Sequence, residues 1–191
     1  MLKNLILLSF LFLLAHSCRT RCQTGWTQIN RTLGTWCVQL YPLSSGAVTQ
    51  AEAQAECAKE NAVLSSIEDF AEFIEFNTLL VNADIDVGFL GAELSPNCSC
   101  AFSSTVFTCP STSECGITSA YVWTDNFTVG TTMLVSEYFD FPGDVYEQFL
   151  VIYGDGMMNG YYVSSGIGPW TDNAPANKNY TAAAICGRKA E

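Results

Sequence analysis

The chain has 191 residues, with eight Lys and Arg against nineteen Asp and Glu, a formal net charge of −11 and nine cysteines. That charge argues against nucleic acid and anionic lipid as partners, and the length is enough for one domain with a real core. The one histidine, His16, lies in a leader expected to be removed, so the mature chain has no imidazole for Ser-His-Asp or Cys-His catalysis or for an HExxH zinc site.

Lys3, the apolar run Leu5 to Leu14 and the small-x-small site Ala15-His16-Ser17 read as a signal peptide over residues 1–17, leaving residues 18–191 as a single domain. No later stretch approaches the roughly 20 apolar residues of a membrane helix, so a secreted, extracellular protein without membrane insertion is expected. The acceptor triplets at Asn30, Asn97, Asn126 and Asn179 agree with glycosylation on that route. Nine cysteines in an exported chain imply a disulfide framework with one left over. Cys18, if retained and unpaired, would allow a disulfide-linked dimer.

Cys22-Gln-Thr-Gly-Trp26 and Trp36-Cys37-Val38 read as two short strands joined by a Cys22 to Cys37 bridge. Trp36, Val38 and Leu40 alternate with Cys37, Gln39 and Tyr41 as in a half-buried strand. Thr49 with Glu52 is a capping-box pattern opening a helix through Asn61, with Ala51, Ala55, Ala58 and Ala62 as a small-residue packing stripe. That helix carries Cys57, and a bond to Cys186 would close nearly the whole molecule into one loop. Ser65 with Glu68 reads as a second capping box, opening a helix whose apolar residues include Ile67, Phe70, Phe73, Ile74 and Leu80.

Val87 to Ala92 reads as a buried strand, after which periodicity is lost for some fifty residues, including a cysteine-rich insertion at about 94–120. Cys98, Cys100, Cys109 and Cys115 lie within eighteen residues there. Their partition is either 98 with 109 and 100 with 115, or 98 with 115 and 100 with 109. A zinc site fits the residue types, but thiols in an oxidising compartment pair. Phe149 to Tyr153 is the next strand, followed by turn signals at Gly154-Asp155-Gly156 and Asn159-Gly160. Tyr161-Tyr162-Val163 reads as the returning strand and Ala182 to Cys186 as a last, central one, an α+β layout.

In order and spacing, Cys22-x-x-Gly25-Trp26 with Cys37, Ala51-x-x-x-Ala55-x-Cys57, Ala62-x-Leu64-x-Ser66-Ile67, Phe89-Leu90-Gly91, Trp123-Thr124-Asp125, Trp170-Thr171-Asp172 and Ile185-Cys186 resemble the C-type lectin-like domain, in particular secreted nematode-type members with extra loop cysteines. The resemblance spans Cys22 to Arg188. It implies a double-loop fold with two helices, small antiparallel sheets and a long disulfide-stapled loop as binding face, with the termini together and Cys57 bonded to Cys186. The family's second bridge is missing at both ends, where Gln148-Phe149 and Ala174-Pro175-Ala176 stand.

Family members that bind sugar through calcium use a Glu-Pro-Asn or Gln-Pro-Asp triplet, and Phe141-Pro142-Gly143 stands there instead. The resemblance therefore implies a binding module with no cofactor, recognising a glycan or extracellular protein through Tyr138, Phe139, Phe141 and Trp170. The alternative is a calcium-dependent lectin with a displaced ligand set of Asp140, Asp144, Glu147 and Asp172. A carboxylate-based hydrolase would need two acids at a fixed separation in a cleft. The spacing singles out no such pair, so the chain is read as a non-enzyme.

Overall fold

The protein is described by a computed structural model covering residues 21–44, 49–98, 101–103, 106–108, 120–130, 149–153, 156–158, 161–163, 166–170 and 180–191, with backbone alone at 97, 101–103, 106–108, 149, 156–158, 161–163, 166 and 168–170. In chain order the elements begin with β1 (Thr27–Arg31), β2 (Gly34–Pro42), α1 (Gln50–Lys59), β3 (Val63–Leu64), α2 (Phe70–Asn82) and β4 (Val87–Leu94). They continue with β5 (Ala101–Ser103), β6 (Val106–Thr108), β7 (Tyr121–Trp123), β8 (Phe149–Tyr153), β9 (Gly156–Met158), β10 (Tyr161–Val163), β11 (Gly166–Trp170) and β12 (Ala182–Lys189).

The main sheet runs β1-β2-β12-β4-β8-β11, with β3 paired to β12 and β7 to β4. The last strand is therefore central. β12 is antiparallel to β2 along Ala183 to Lys189 and parallel to β4 along Ala182 to Ala184. The first and last described residues meet beside it, where the Arg21 N–H donates to the Glu191 carbonyl at 3.2 Å.

Alternation along the central strands splits the core in two. Ala183 and Ile185 of β12, Leu90 and Ala92 of β4, and Leu150 and Ile152 of β8 join Phe73, Phe76 and Leu80 of α2 in one apolar cluster. Ala182, Ala184 and Cys186, Val87 and Phe89, and Val151 join Ala53 and Cys57 of α1 in the other. Because successive strand side chains point to opposite faces, the two helices cover opposite sides of one sheet. Trp36 and Val38 lie in the first cluster while Tyr41 packs on the second, so β2 is covered on both faces and not half-buried as its alternation suggested.

The capping box at α1 forms as expected. The Thr49 hydroxyl accepts from the Glu52 N–H at 3.2 Å, and the Glu52 carboxylate accepts from the Thr49 N–H at 2.9 Å. Of the expected packing stripe only Ala62, just beyond the helix, is buried; Ala51, Ala55 and Ala58 are exposed, and the buried residues of α1 are Gln50, Ala53 and Cys57. The Cys57–Cys186 disulfide ties the helix to β12 and so fixes which side turns inward. Cys22 bonds Cys37, also as expected, but the Cys22 to Trp26 stretch is no strand: pairing starts at Thr27, after a turn in which Gly25 takes φ 92°.

Three other expectations are corrected. Asp69, not Ser65, caps α2, accepting from the Glu72 N–H at 2.9 Å, because Ser65, Ser66 and Glu68 are engaged elsewhere. Ile67 is buried ahead of that helix, and Phe70 and Ile74 face outward. Tyr161 to Val163 does not return to β8. It pairs with β9, Tyr161 opposite Met158, and β11 takes the place beside β8. The cysteine-rich insertion contains the β5–β6 hairpin, and β7 beyond it pairs with β4.

Candidate functional site

The stretch read as the binding loop is mounted on β4, β7, β8 and β11. β4 pairs with β8 in regular register from Val87 to Phe89, then skips to Glu93 opposite Phe149. The skip leaves the backbone of residues 90–92 to other partners, as an irregular ladder requires. The Gln50 side-chain amide donates to the Leu90 and Ala92 carbonyls at 3.3 and 3.1 Å. The Gly91 carbonyl accepts from the Thr124 N–H at 2.9 Å and from the Ser66 hydroxyl at 2.6 Å. Gly91 fits only without a side chain, since a Cβ there would stand 2.3 Å from the Leu64 carbonyl oxygen.

Beneath this mount lies a buried charge cluster centred on Arg31, the last residue of β1. Its Nε donates to Glu72 at 2.8 Å, one terminal nitrogen to Asp125 at 2.8 Å and Thr128 at 2.9 Å, and the other to the Ser65 hydroxyl at 3.0 Å and the Ser66 carbonyl at 2.7 Å. Its guanidinium lies 4.7 Å from the centre of the Trp36 ring, whose N–H donates to Ser65 at 2.9 Å. A planar fork with five N–H donors can bind so many acceptors at once, and lysine cannot. Arg31, Glu72 and Asp125 are 7%, 3% and 6% exposed, so the cluster works as a tie joining β1, α2, the Ser65-Ser66 segment and the turn after β7, and offers no open cleft for chemistry.

One cation is shared by two carboxylates, and their environments separate them. Burial pushes the Glu72 carboxyl up to about 7, against the opposing pull of Arg31 and the Glu68 N–H. Asp125 is also buried, which raises its pKa. The N–H groups of Thr128 and Phe127, the Thr128 hydroxyl and Arg31 together outweigh this and hold it below the usual carboxylate range. Asp125 thus remains the anion that closes the turn, and Trp123 donates its indole N–H to the Gly130 carbonyl at 2.8 Å just before the stretch from 131.

Tyr138, Phe139, Phe141, Asp140, Asp144, Glu147 and Asp172 lie outside the described residues, as do residues 1–17, Cys18, Cys100, Cys109, Cys115 and Asn179. Trp170 ends β11 opposite Phe149, and backbone alone is described there, as at Asn97. Cys98 is disulfide-bonded, which argues against its serving as a zinc thiolate. Asn30 and Asn126 are exposed. Among the described residues no group of three or more His, Cys, Asp and Glu side chains is arranged to hold a metal, and no helix is long and apolar enough to cross a membrane. The sequence reading missed Arg31, Glu72 and Ser65 as one cluster. The signal it did carry was Asp125, inside Trp123-Thr124-Asp125.

No protein-family model matches the chain, and no curated protein matches it significantly. Among solved structures, the SPL-1 complex with GlcNAc superposes with a TM-score of 0.53 at 15% identity, covering 90% of this chain and 97% of that one. The Ca2+-independent C-type lectin SPL-2 from Saxidomus purpuratus also gives 0.53 at 15% identity, covering 87% and 93%. Herring type II antifreeze protein gives 0.50 at 18% identity, covering 89% and 100%. Two helices and a mixed sheet among the described residues, the Cys22–Cys37 and Cys57–Cys186 disulfides and these neighbours show that the chain has the α+β C-type lectin-like fold.

Proposed function

We propose that the chain is a secreted, non-enzymatic binding module of the nematode type, recognising a glycan or extracellular protein ligand without calcium. The observation that carries this reading is chemical. At the position where the fold's calcium-dependent members place a carboxylate or amide on each side of proline, this chain has Phe141-Pro142-Gly143, which supplies no side-chain oxygen. That donor set does not fit calcium. The Ca2+-independent lectin among the structural neighbours is consistent with binding of this kind on this fold.

Tyr138, Phe139, Phe141 and Trp170 are the contacts assigned to the ligand, because aromatic rings give large contact area at little entropic cost. Arg31, an internal cation, ties down the turn at Asp125 and Thr128 that precedes Tyr138, Phe139 and Phe141 in the chain, and Trp170 ends β11. A glycan and extracellular-protein array run with and without EDTA tests the reading. Binding that persists in EDTA and is lost on Phe141→Ala or Trp170→Ala supports it. Binding abolished by EDTA, with melting raised by calcium, overturns it in favour of a ligand set of Asp140, Asp144, Glu147 and Asp172.

A further inference from the structure

Asn30 and Asn126 each open an Asn-x-Thr triplet, and in both the asparagine is exposed while the two residues after it are built into the Arg31 cluster or its rim. In the first triplet Arg31 is the buried cation itself, and the N–H and hydroxyl of Thr32 both donate to Glu68. In the second, Phe127 is buried and stacks on Trp36 with ring centres 4.8 Å apart. The Thr128 hydroxyl donates to Asp125 at 2.7 Å and accepts from Arg31 at 2.9 Å. Asn126 itself is held only loosely, its amide 3.5 Å from the Thr124 carbonyl, at φ 55°. Three positions after each asparagine stands an exposed apolar residue, Leu33 at 57% and Val129 at 44%.

The geometry points to N-glycosylation of both Asn30 and Asn126, completed before the chain folds and not after. The triplet rule means that the transferring enzyme reads the hydroxyl of the third residue as well as the asparagine. In the folded molecule the Thr128 hydroxyl is spent inside a buried ionic network, while in the first triplet Asn30 and Arg31 are held in β1, Asn30 opposite Thr35, and the Thr32 hydroxyl in the turn beyond is spent on Glu68. In the transfer, the asparagine amide nitrogen attacks the anomeric carbon of a lipid-pyrophosphate-linked oligosaccharide. A carbon–nitrogen bond forms, the carbon–oxygen bond to the pyrophosphate breaks with the electron pair leaving on the lipid pyrophosphate, and the amide gives up one proton to a base. Once attached, the sugars stand beside Leu33 and Val129 and cover apolar surface that is otherwise left to water.

The inference rests on the proposed export only for meeting the transferase, and the test separates the two. The full chain is made in secretory cells with its own leader and, in parallel, behind a foreign leader, and the occupied asparagines are mapped by mass spectrometry after enzymatic deglycosylation. Occupancy at 30 and 126 is expected with the foreign leader whether or not the chain's own leader works; an empty site at either position overturns the proposal. Unglycosylated chain, folded with its disulfides formed, is then compared with the same chain reduced and alkylated, each given purified oligosaccharyltransferase and lipid-linked donor. Transfer to the unfolded form alone is expected, and comparable transfer to the folded form overturns the timing. The double variant Asn30→Gln, Asn126→Gln is expected to bind more apolar dye than the glycosylated protein, and unchanged dye binding overturns the shielding role.

Discussion

Removing the Arg31 guanidinium would leave Glu72 and Asp125 buried without a cation, a loss that costs far more than a surface ion pair. Arg31→Met is expected to lower unfolding free energy by about 3–5 kcal/mol in urea titration, and Arg31→Lys to recover only part, because it keeps the charge and loses the fork. Glu72 gives the cluster a pH dependence. Its pKa is about 7 when folded against 4.5 as the unperturbed value, so the folded chain holds a proton that the unfolded chain has released between those limits. Stability from this group is therefore full below about pH 4.5 and lost as pH rises through 7; Asp125, shifted the other way, contributes above its unfolded value of 3.8 and loses it as pH falls further. Melting temperature is expected to fall between pH 5 and pH 8, and Glu72→Gln to flatten that fall. None of this was legible in the sequence, where Asn30-Arg31-Thr32 reads only as a sugar acceptor. Arg31 meets its partners across separations of 34 to 97 positions, and no local periodicity encodes such a meeting.

Elements with a local chemical signal formed where the sequence placed them. Thr49 with Glu52 begins α1, and β9 pairs with β10 on either side of the Asn159-Gly160 signal, because a cap and a close strand pair depend on residues within a few positions of each other. Ser65 with Glu68 carries the same pattern and fails to cap, since both side chains are drawn into tertiary contacts with Trp36, Arg31 and Thr32. At the irregular stretch of β4, Gly91→Ala would press a methyl group against the Leu64 backbone, which cannot swing aside as a side chain can. That substitution is expected to cost at least the 1–3 kcal/mol typical of overpacking, read as a lower denaturation midpoint. Thr49→Ala, which loses a cap on an exposed first turn, is expected to cost about 1 kcal/mol by the same measurement.

At the scale of the whole molecule, two of the crosslinks among the described residues differ in reach. Cys57–Cys186 spans 129 positions and Cys22–Cys37 spans 15. On the chain-entropy model the long one contributes about 5 kcal/mol and the short one about 3 kcal/mol, so Cys57→Ser with Cys186→Ser is expected to shift guanidinium unfolding further than Cys22→Ser with Cys37→Ser. Cysteine placement, the apolar run Ala182 to Cys186 and the order of the family's motifs made the crosslinks, the central strand and the fold legible in the sequence, because each is a property of residue identity and spacing along the chain. Tertiary structure alone decided which side of α1 turns inward, that β2 is covered on both faces, and that Arg31, Glu72, Asp125 and Ser65 converge. Those outcomes depend on how distant segments stack across a sheet, where packing and the desolvation of charge are settled among side chains that no stretch of sequence brings together.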